Sequence, residues 1–360
     1  MNRCKIYASD EGFGHLVRQQ AIGEVLLSLM PDLAIDLQTS KNADAASWIF
    51  PEARLIRRFN NILWPRLESG IPDLDETRRF YSGYIERSDH FLKEEEVRGY
   101  DFLISDFVYE AFPIGAANGL PTFGVAHFTW DWFFSKLYPS PVEDKVLGRM
   151  RSFAQMADVL FFSEFSPSEI VEYYKNKAIV HPLIVRKSQD KNIVKRTEFN
   201  VLIMDSGANI LTRSISKAVN EIHQLPDFHF FVPDKYAMGI ENVTGIAHDE
   251  PVINYLGHMD LVIARGGVNL ISECIAYRVP LLLLGEDLNP EVERNMFFLK
   301  HQGLGSYVSL DRFSNKFAET LKHFVDGEYR SIRINMSSHE LRTDGAEIVA
   351  EHIANFLQNL

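Results

Sequence analysis

The stretch DLVIARGGVNLISECIAYRVPLLLLG, residues 260–285, reads as strand, tight turn, helix and strand. DLVIARGG is a short apolar run closed by two glycines, helical character begins near Asn269, and VPLLLLG (279–285) is a second strand-sized run. Such a unit is the building block of an open α/β sheet. Others flank it. FNVLIMDSGAN (199–209) combines a strand with a small-residue turn, a helix is expected over about residues 210–223, and FHFFVP (228–233) is another strand. The same alternation runs through the N-terminal half: a strand over Cys4–Ser9, a helix over about His15–Met30, then AIDLQTS (34–40), FLISDF (102–107), PTFGVAHF (121–128) and VLFFSEF (159–165). Between the halves, VHPLIVRKSQDKNIVKRT (180–197) turns polar and basic, as a linker region does. GAEIVAEHIANFLQNL (345–360) has helical spacing. The expected division is 1–182, a linker over 183–198, 199–344, and a C-terminal helix over 345–360, with two Rossmann-like domains facing across a cleft.

The totals agree with that division. A chain of 360 residues is long for one core and comfortable for two. Its 49 acidic against 37 basic side chains leave a net charge of −12, which excludes a general nucleic-acid binder. The basic clusters RLIRR (54–58) and KNIVKR (191–196) read as solvated faces. No apolar run reaches the length of a membrane span, so no integral membrane segment is expected. No secretory signal is visible, and the two cysteines, Cys4 and Cys274, fall in different elements; both points fit a cytoplasmic protein.

Chemistry is concentrated where strands end. EGFGHLVR (11–18) follows the first strand, and Gly12 and Gly14 allow a tight turn and close approach to a ligand. His15 on that turn is a candidate general base, with a turn-capping histidine as the alternative. Asp106, in SDF after a later strand, is the carboxylate that would orient it; an Asx turn or cap is the other reading. The dinucleotide fingerprint is incomplete, because Val17 stands at its third glycine and LQTSKN lacks an acidic ribose reader. In the second half, Arg265, Gly266 and Gly267 before a helix N-terminus make a diphosphate seat. Glu273, four residues beyond Asn269, lies on the same helix face and would accept from a ribose diol. Glu286, Asn289, Glu291 and Asn295 form a polar loop suited to sugar hydroxyls, and Ser206, Gly207 and Ala208 line the other turn of that half. HFTWDWFF (127–134) would stack on an acceptor or pack as core, with Trp130 and Asp131 the candidates for contact. DLD (73–75) reads as a solvated loop, and no cluster has metal-ligand spacing.

These segments resemble the GT-B glycosyltransferases. GGVNLISE, RVP, Glu291 with Asn295, and GLG (303–305) are similar to the family's donor-binding pattern, and GFGHLVR is similar to its GxGHxxR opening. HFTWDWFF, PLIVRKS (182–188), AYRVP, NPEVERNM and GAEIVAEHI further resemble the glycosyltransferase-like region of plant L-arabinokinases and its bacterial relatives. Arg265 stands where many relatives have histidine, and Glu291 where many have glutamine. The resemblance implies a metal-independent transferase with no cofactor. It would move a sugar from a nucleoside-diphosphate donor, UDP before others, to the hydroxyl of an unidentified acceptor. His15 would be the base and Asp106 its orienting partner. Gly12, Gly14, Arg18, Trp130 and Asp131 would lie on the acceptor side, and the terminal helix would pack back on the N-terminal domain. Water as the acceptor would make the protein a nucleotide-sugar hydrolase; a binding module without turnover is the remaining alternative.

Overall fold

The computed structural model describes residues 2–67, 70–188, 198–205, 211–237, 239–286 and 288–360. The chain divides into two compact units. The first takes the N-terminal segment, Pro72–Val185 and Arg342–Leu360; the second is built on Arg186–Leu341.

The first unit holds β1 (Arg3–Tyr7), β2 (Ala34–Thr39), β3 (Arg54–Arg57), β4 (Phe102–Ser105), β5 (Thr122–Ala126), β6 (Val159–Ser163) and β7 (Ala178–His181). Among the described residues they form one seven-stranded parallel sheet in the order β3-β2-β1-β4-β5-β6-β7. β4, FLIS, is buried at every position, the pattern of a parallel strand covered by helices on both faces. The helix Gly345–Gln358 belongs to this unit: Val349, Ala350 and Ile353 share a core with Leu16, Ile22 and Leu26 of the helix Phe13–Leu29. The C-terminal helix therefore packs back on the N-terminal unit.

The second unit holds β8 (Phe199–Met204), β9 (Phe228–Pro233), β10 (Val243–Ile246), β11 (Leu261–Arg265), β12 (Leu281–Leu284) and β13 (Gly305–Val308). Their order is β10-β9-β8-β11-β12-β13, again parallel. In both sheets the order reverses at the first strand, between β1 and β4 and between β8 and β11. Ligands of open α/β sheets bind outside the strand C-termini at such switch points, because the neighbouring crossovers leave on opposite faces there.

Several strands differ from the sequence reading. β3 lies in the cluster RLIRR; its arginines reach neighbouring acids, Arg54 donating to Asp36 at 2.7 and 2.6 Å. β7 takes Val180 and His181 from the stretch read as linker, and Ile184 bridges to Asp344 inside the first unit. Residues 189–197 of that stretch lie outside the described residues. β10 and β13 were not distinguishable as strands, each being four residues long with a glycine.

Candidate active site

The first switch point is occupied by a buried polar cluster. β1 and β4 run in register, Tyr7 opposite Ser105, and the Asp106 amide donates to the Tyr7 carbonyl at 2.9 Å. Gly12 turns the chain with φ +95°, in the region that favours glycine, and the helix Phe13–Leu29 begins immediately after it. Its first turn carries His15 to within 2.8 Å of Asp106, Nδ1 to Oδ1. A carboxylate only accepts, so Nδ1 carries the proton and Nε2 presents a lone pair. The ring is 9% exposed and stacks beside Trp130, with centroids 6.2 Å apart and planes 26° apart.

Asp106 is saturated. Arg18 Nη2 donates to its Oδ1 and Oδ2 at 2.6 and 2.7 Å, and Gln19 Nε2 donates to Oδ2 at 3.2 Å. Burial alone would raise this carboxyl, but the Arg18 guanidinium and His15 hold it well below the usual carboxylate range. Arg18 Nη1 reaches His127 Nδ1 at 2.8 Å. Arginine only donates, so His127 accepts through Nδ1 and keeps its proton on Nε2. His181, at the end of β7, donates from Nδ1 to the Pro182 carbonyl at 2.6 Å and is pushed down to about 4, first by burial and then by Arg18 and His127. Glu11, beside His15, has its carboxyl raised by burial and is paired with Lys41 at 3.3 Å.

At the second switch point β11 ends in Arg265 and the chain turns through Gly266 and Gly267 into the helix Val268–Ala276. A side chain at Gly266 would stand 3.3 Å from Val292 and 3.4 Å from Leu283, so the turn packs closely on its neighbours. Gly267 is the helix N-cap, in extended conformation and without a side-chain cap bond. Arg265 is paired with Glu286 through Nε and lies 3.8 Å from Glu291; these carboxylates keep its charge against the cost of burial. Glu273 is 3% exposed and takes Arg186 at 2.7 Å on Oε1 and 3.4 Å on Oε2.

No protein-family model matches the chain. It is 26% identical over 336 residues to an uncharacterized glycosyltransferase of Methanosarcina acetivorans, covering 84% of this chain and 83% of that protein. Over 183 residues it is 23% identical to a UDP-N-acetylglucosamine–N-acetylmuramyl-(pentapeptide) pyrophosphoryl-undecaprenol N-acetylglucosamine transferase of Thermosipho africanus, covering 48% of this chain and 52% of that one. Among solved structures, spinosyn rhamnosyltransferase SpnG with thymidine diphosphate superposes with a TM-score of 0.65 at 13% identity, over 98% of this chain and 100% of that one. The chain has the GT-B fold.

Within that GT-B frame the sequence-derived residues fall into four groups. His15, Asp106, Arg18 and Trp130 come together at the first switch point; Gly12 shapes its turn, while Gly14 lies inside the first turn of the helix that follows. Arg265, Gly266, Gly267, Asn269, Glu273 and Glu291 lie in the second unit, on or beside the glycine turn and its helix, while Ser206, Gly207 and Ala208 lie outside the described residues. Two side chains are turned to structural work. Asp131 is buried, accepting from Tyr109 at 2.7 Å and Arg151 at 2.8 Å, which makes it a core ion pair rather than an acceptor contact. Asn295 donates to the Gly266 carbonyl at 2.8 Å and so fastens the glycine turn instead of facing a sugar. Asp73 of the DLD segment caps the helix Leu74–Ser82, accepting from Glu76 at 2.8 Å. Gln19, His127, His181 and Arg186 join these clusters with no spacing in the sequence to single them out. For Arg18 the signal was present: it stands three residues after His15, on the same helix face. Among the described residues no group of His, Cys, Asp and Glu could hold a metal, and no helix is long and apolar enough to cross a membrane.

Proposed function

We propose that this protein transfers a sugar from a nucleoside-diphosphate donor, UDP before the alternatives, to an acceptor hydroxyl without a metal or cofactor. The observation that carries the reading is the His15–Asp106 pair at 2.8 Å, held at the switch point of a GT-B sheet. His15 Nε2 takes the acceptor proton as that oxygen bonds to the anomeric carbon. The bond from that carbon to the diphosphate oxygen breaks, and its electron pair leaves with the diphosphate. Asp106 keeps the ring in the useful tautomer and balances its charge. The first unit holds the acceptor, with Trp130, Gly12 and Gly14 beside the base.

The second unit holds the donor. The free N–H groups of the helix Val268–Ala276, with Gly266, Gly267, Asn269 and Arg265, take the diphosphate. Glu273 reads the ribose through the oxygen that Arg186 engages only at 3.4 Å, and Glu291 faces the sugar. Ser206, Gly207 and Ala208 complete the donor seat. The choice of UDP is supported by the name of the Thermosipho africanus relative; the thymidine diphosphate bound to SpnG makes dTDP the first comparison. The proposal also places the chain beside the glycosyltransferase-like region of plant L-arabinokinases, on HFTWDWFF and PLIVRKS, and in the cytoplasm, where the buried thiols Cys4 and Cys274 stay reduced.

The test is turnover of UDP-sugars and dTDP-sugars against an acceptor panel. A positioned base contributes ~10²–10⁴ in rate, so His15→Ala is expected to lose that much of kcat while donor affinity is kept. Full turnover by His15→Ala would overturn the base assignment. Donor breakdown at the same rate with and without acceptors would make the protein a hydrolase.

A further inference from the structure

The base at position 15 is held by more than its carboxylate. Arg18 lies across Asp106 with two bonds, at 2.6 and 2.7 Å, and the same Nη2 stands 3.3 Å from His15 Nδ1. Both members of the ion pair are buried, Arg18 at 4% exposure and Asp106 at 1%. The other arm of the guanidinium is anchored on His127. Geometry of this kind makes the functional unit a triad of His15, Asp106 and Arg18, with the arginine fixed from behind by a second imidazole.

We infer that Arg18 is a positioning residue that sets the working pH of the base: its charge is spent on Asp106, so the carboxylate orients His15 without over-stabilising the protonated ring. The inference rests on the base assigned above to His15. In a bare histidine–carboxylate pair the full negative charge favours imidazolium, and the base is then already protonated at neutral pH. Here the guanidinium offsets that field from the same side of the ring. Among the described residues, the other charged or titratable groups near the cluster are few. Glu11 faces His15 from the glycine turn and is itself paired with Lys41. His127 and His181 face Arg18 from the ends of β5 and β7. Gln19, from the same helix as His15, is neutral and donates to Asp106.

The test removes the arginine's charge while keeping a hydrogen-bonding side chain, and needs neither donor nor acceptor. Imidazole ¹⁵N titration of the protein alone, from about pH 5 to about pH 9, follows the ring at position 15, assigned by its loss in His15→Gln. In Arg18→Gln its midpoint is expected to rise by ~1 unit or more relative to wild type, whereas Arg18→Lys, which retains the charge, stays close to wild type. Equal behaviour of the two variants, whether moved or unmoved, would show that the charge at position 18 does not set the midpoint and would overturn the inference. Asp106→Asn compared with Arg18→Met/Asp106→Asn repeats the test with the buried ion pair removed as a whole, a change proteins commonly tolerate. The midpoint is expected to be higher in the double variant; identical midpoints would contradict the inference. Where turnover is measured, the acid limb of kcat/KM must move with the ring. A ring that moves as expected in a protein with no transferase activity would separate failure of the function proposal from failure of this one.

Discussion

At the scale of single residues, the first sheet's polar edge sets a pH window for stability as well as for chemistry. His181 titrates at about 4 in the folded protein against 6.5 for an ordinary histidine. The unfolded chain therefore takes up the proton first, and stability falls as pH drops through that interval. Above it the contribution is fully present. Urea unfolding of wild type is expected to lose about 2 kcal/mol more than His181→Gln between about pH 6.5 and pH 5; parallel curves would show that His181 does not carry the effect. The sequence made His15 and Asp106 legible because each follows a strand and belongs to a residue type suited to proton transfer. His181 was not legible, since its strand was hidden in a polar stretch. Arg186 was equally hidden, being one cation in a basic run, and only the folded unit shows that it fills the Glu273 carboxylate.

At the scale of elements, two helix ends show opposite backbone constraints. The helix Val268–Ala276 stops at Tyr277, and Arg278 follows with φ +58°, its amide bonded to the Ile275 carbonyl and the Val279 amide bonded to that of Cys274. A left-handed residue after a helix is normally glycine, because a Cβ there meets the backbone. Arg278→Gly is expected to stabilise the protein by about 1 kcal/mol, read as a raised Tm; an unchanged or lowered Tm would mean that the arginine side chain compensates. The C-terminal helix gives the opposite case. A Cβ at Gly345 would meet the Pro182 carbonyl at 2.2 Å and that of Leu183 at 2.8 Å, both of them backbone atoms. Gly345→Ala is expected to cost about 1–3 kcal/mol and to expose the helix Gly345–Gln358 to proteolysis, whereas Ala346→Gly next to it should leave the docking intact. Long helices and apolar strands were legible from periodicity. β3, β7, β10 and β13 were not, because four residues hold too few alternations and pairing with a neighbour makes the strand.

At the scale of the whole molecule, two sheets with reversed strand order supply two switch points, one bearing a histidine–aspartate–arginine cluster and the other a glycine turn at a helix N-terminus. The α/β class and its repetition were legible because strand and helix runs alternate twice along the chain. Strand order was not, since it depends on long-range pairing that no local pattern records. The account stands or falls on whether the second switch point takes a nucleoside diphosphate, and Gly267 allows a direct measurement. Its φ of −77° and ψ of 135° suit any residue, among the described residues an added Cβ would meet nothing closer than Arg265 at 3.9 Å, and the helix it opens has no side-chain cap. Gly267→Asp therefore supplies a cap while setting a negative charge where the diphosphate would sit. Calorimetric titration of UDP into wild type and Gly267→Asp, with Tm followed in parallel, is expected to show binding by wild type and at least ~10-fold weaker binding by a variant of equal or higher Tm. Equal affinity in the two proteins, or no binding of UDP, dTDP, GDP or ADP to wild type, would contradict the account.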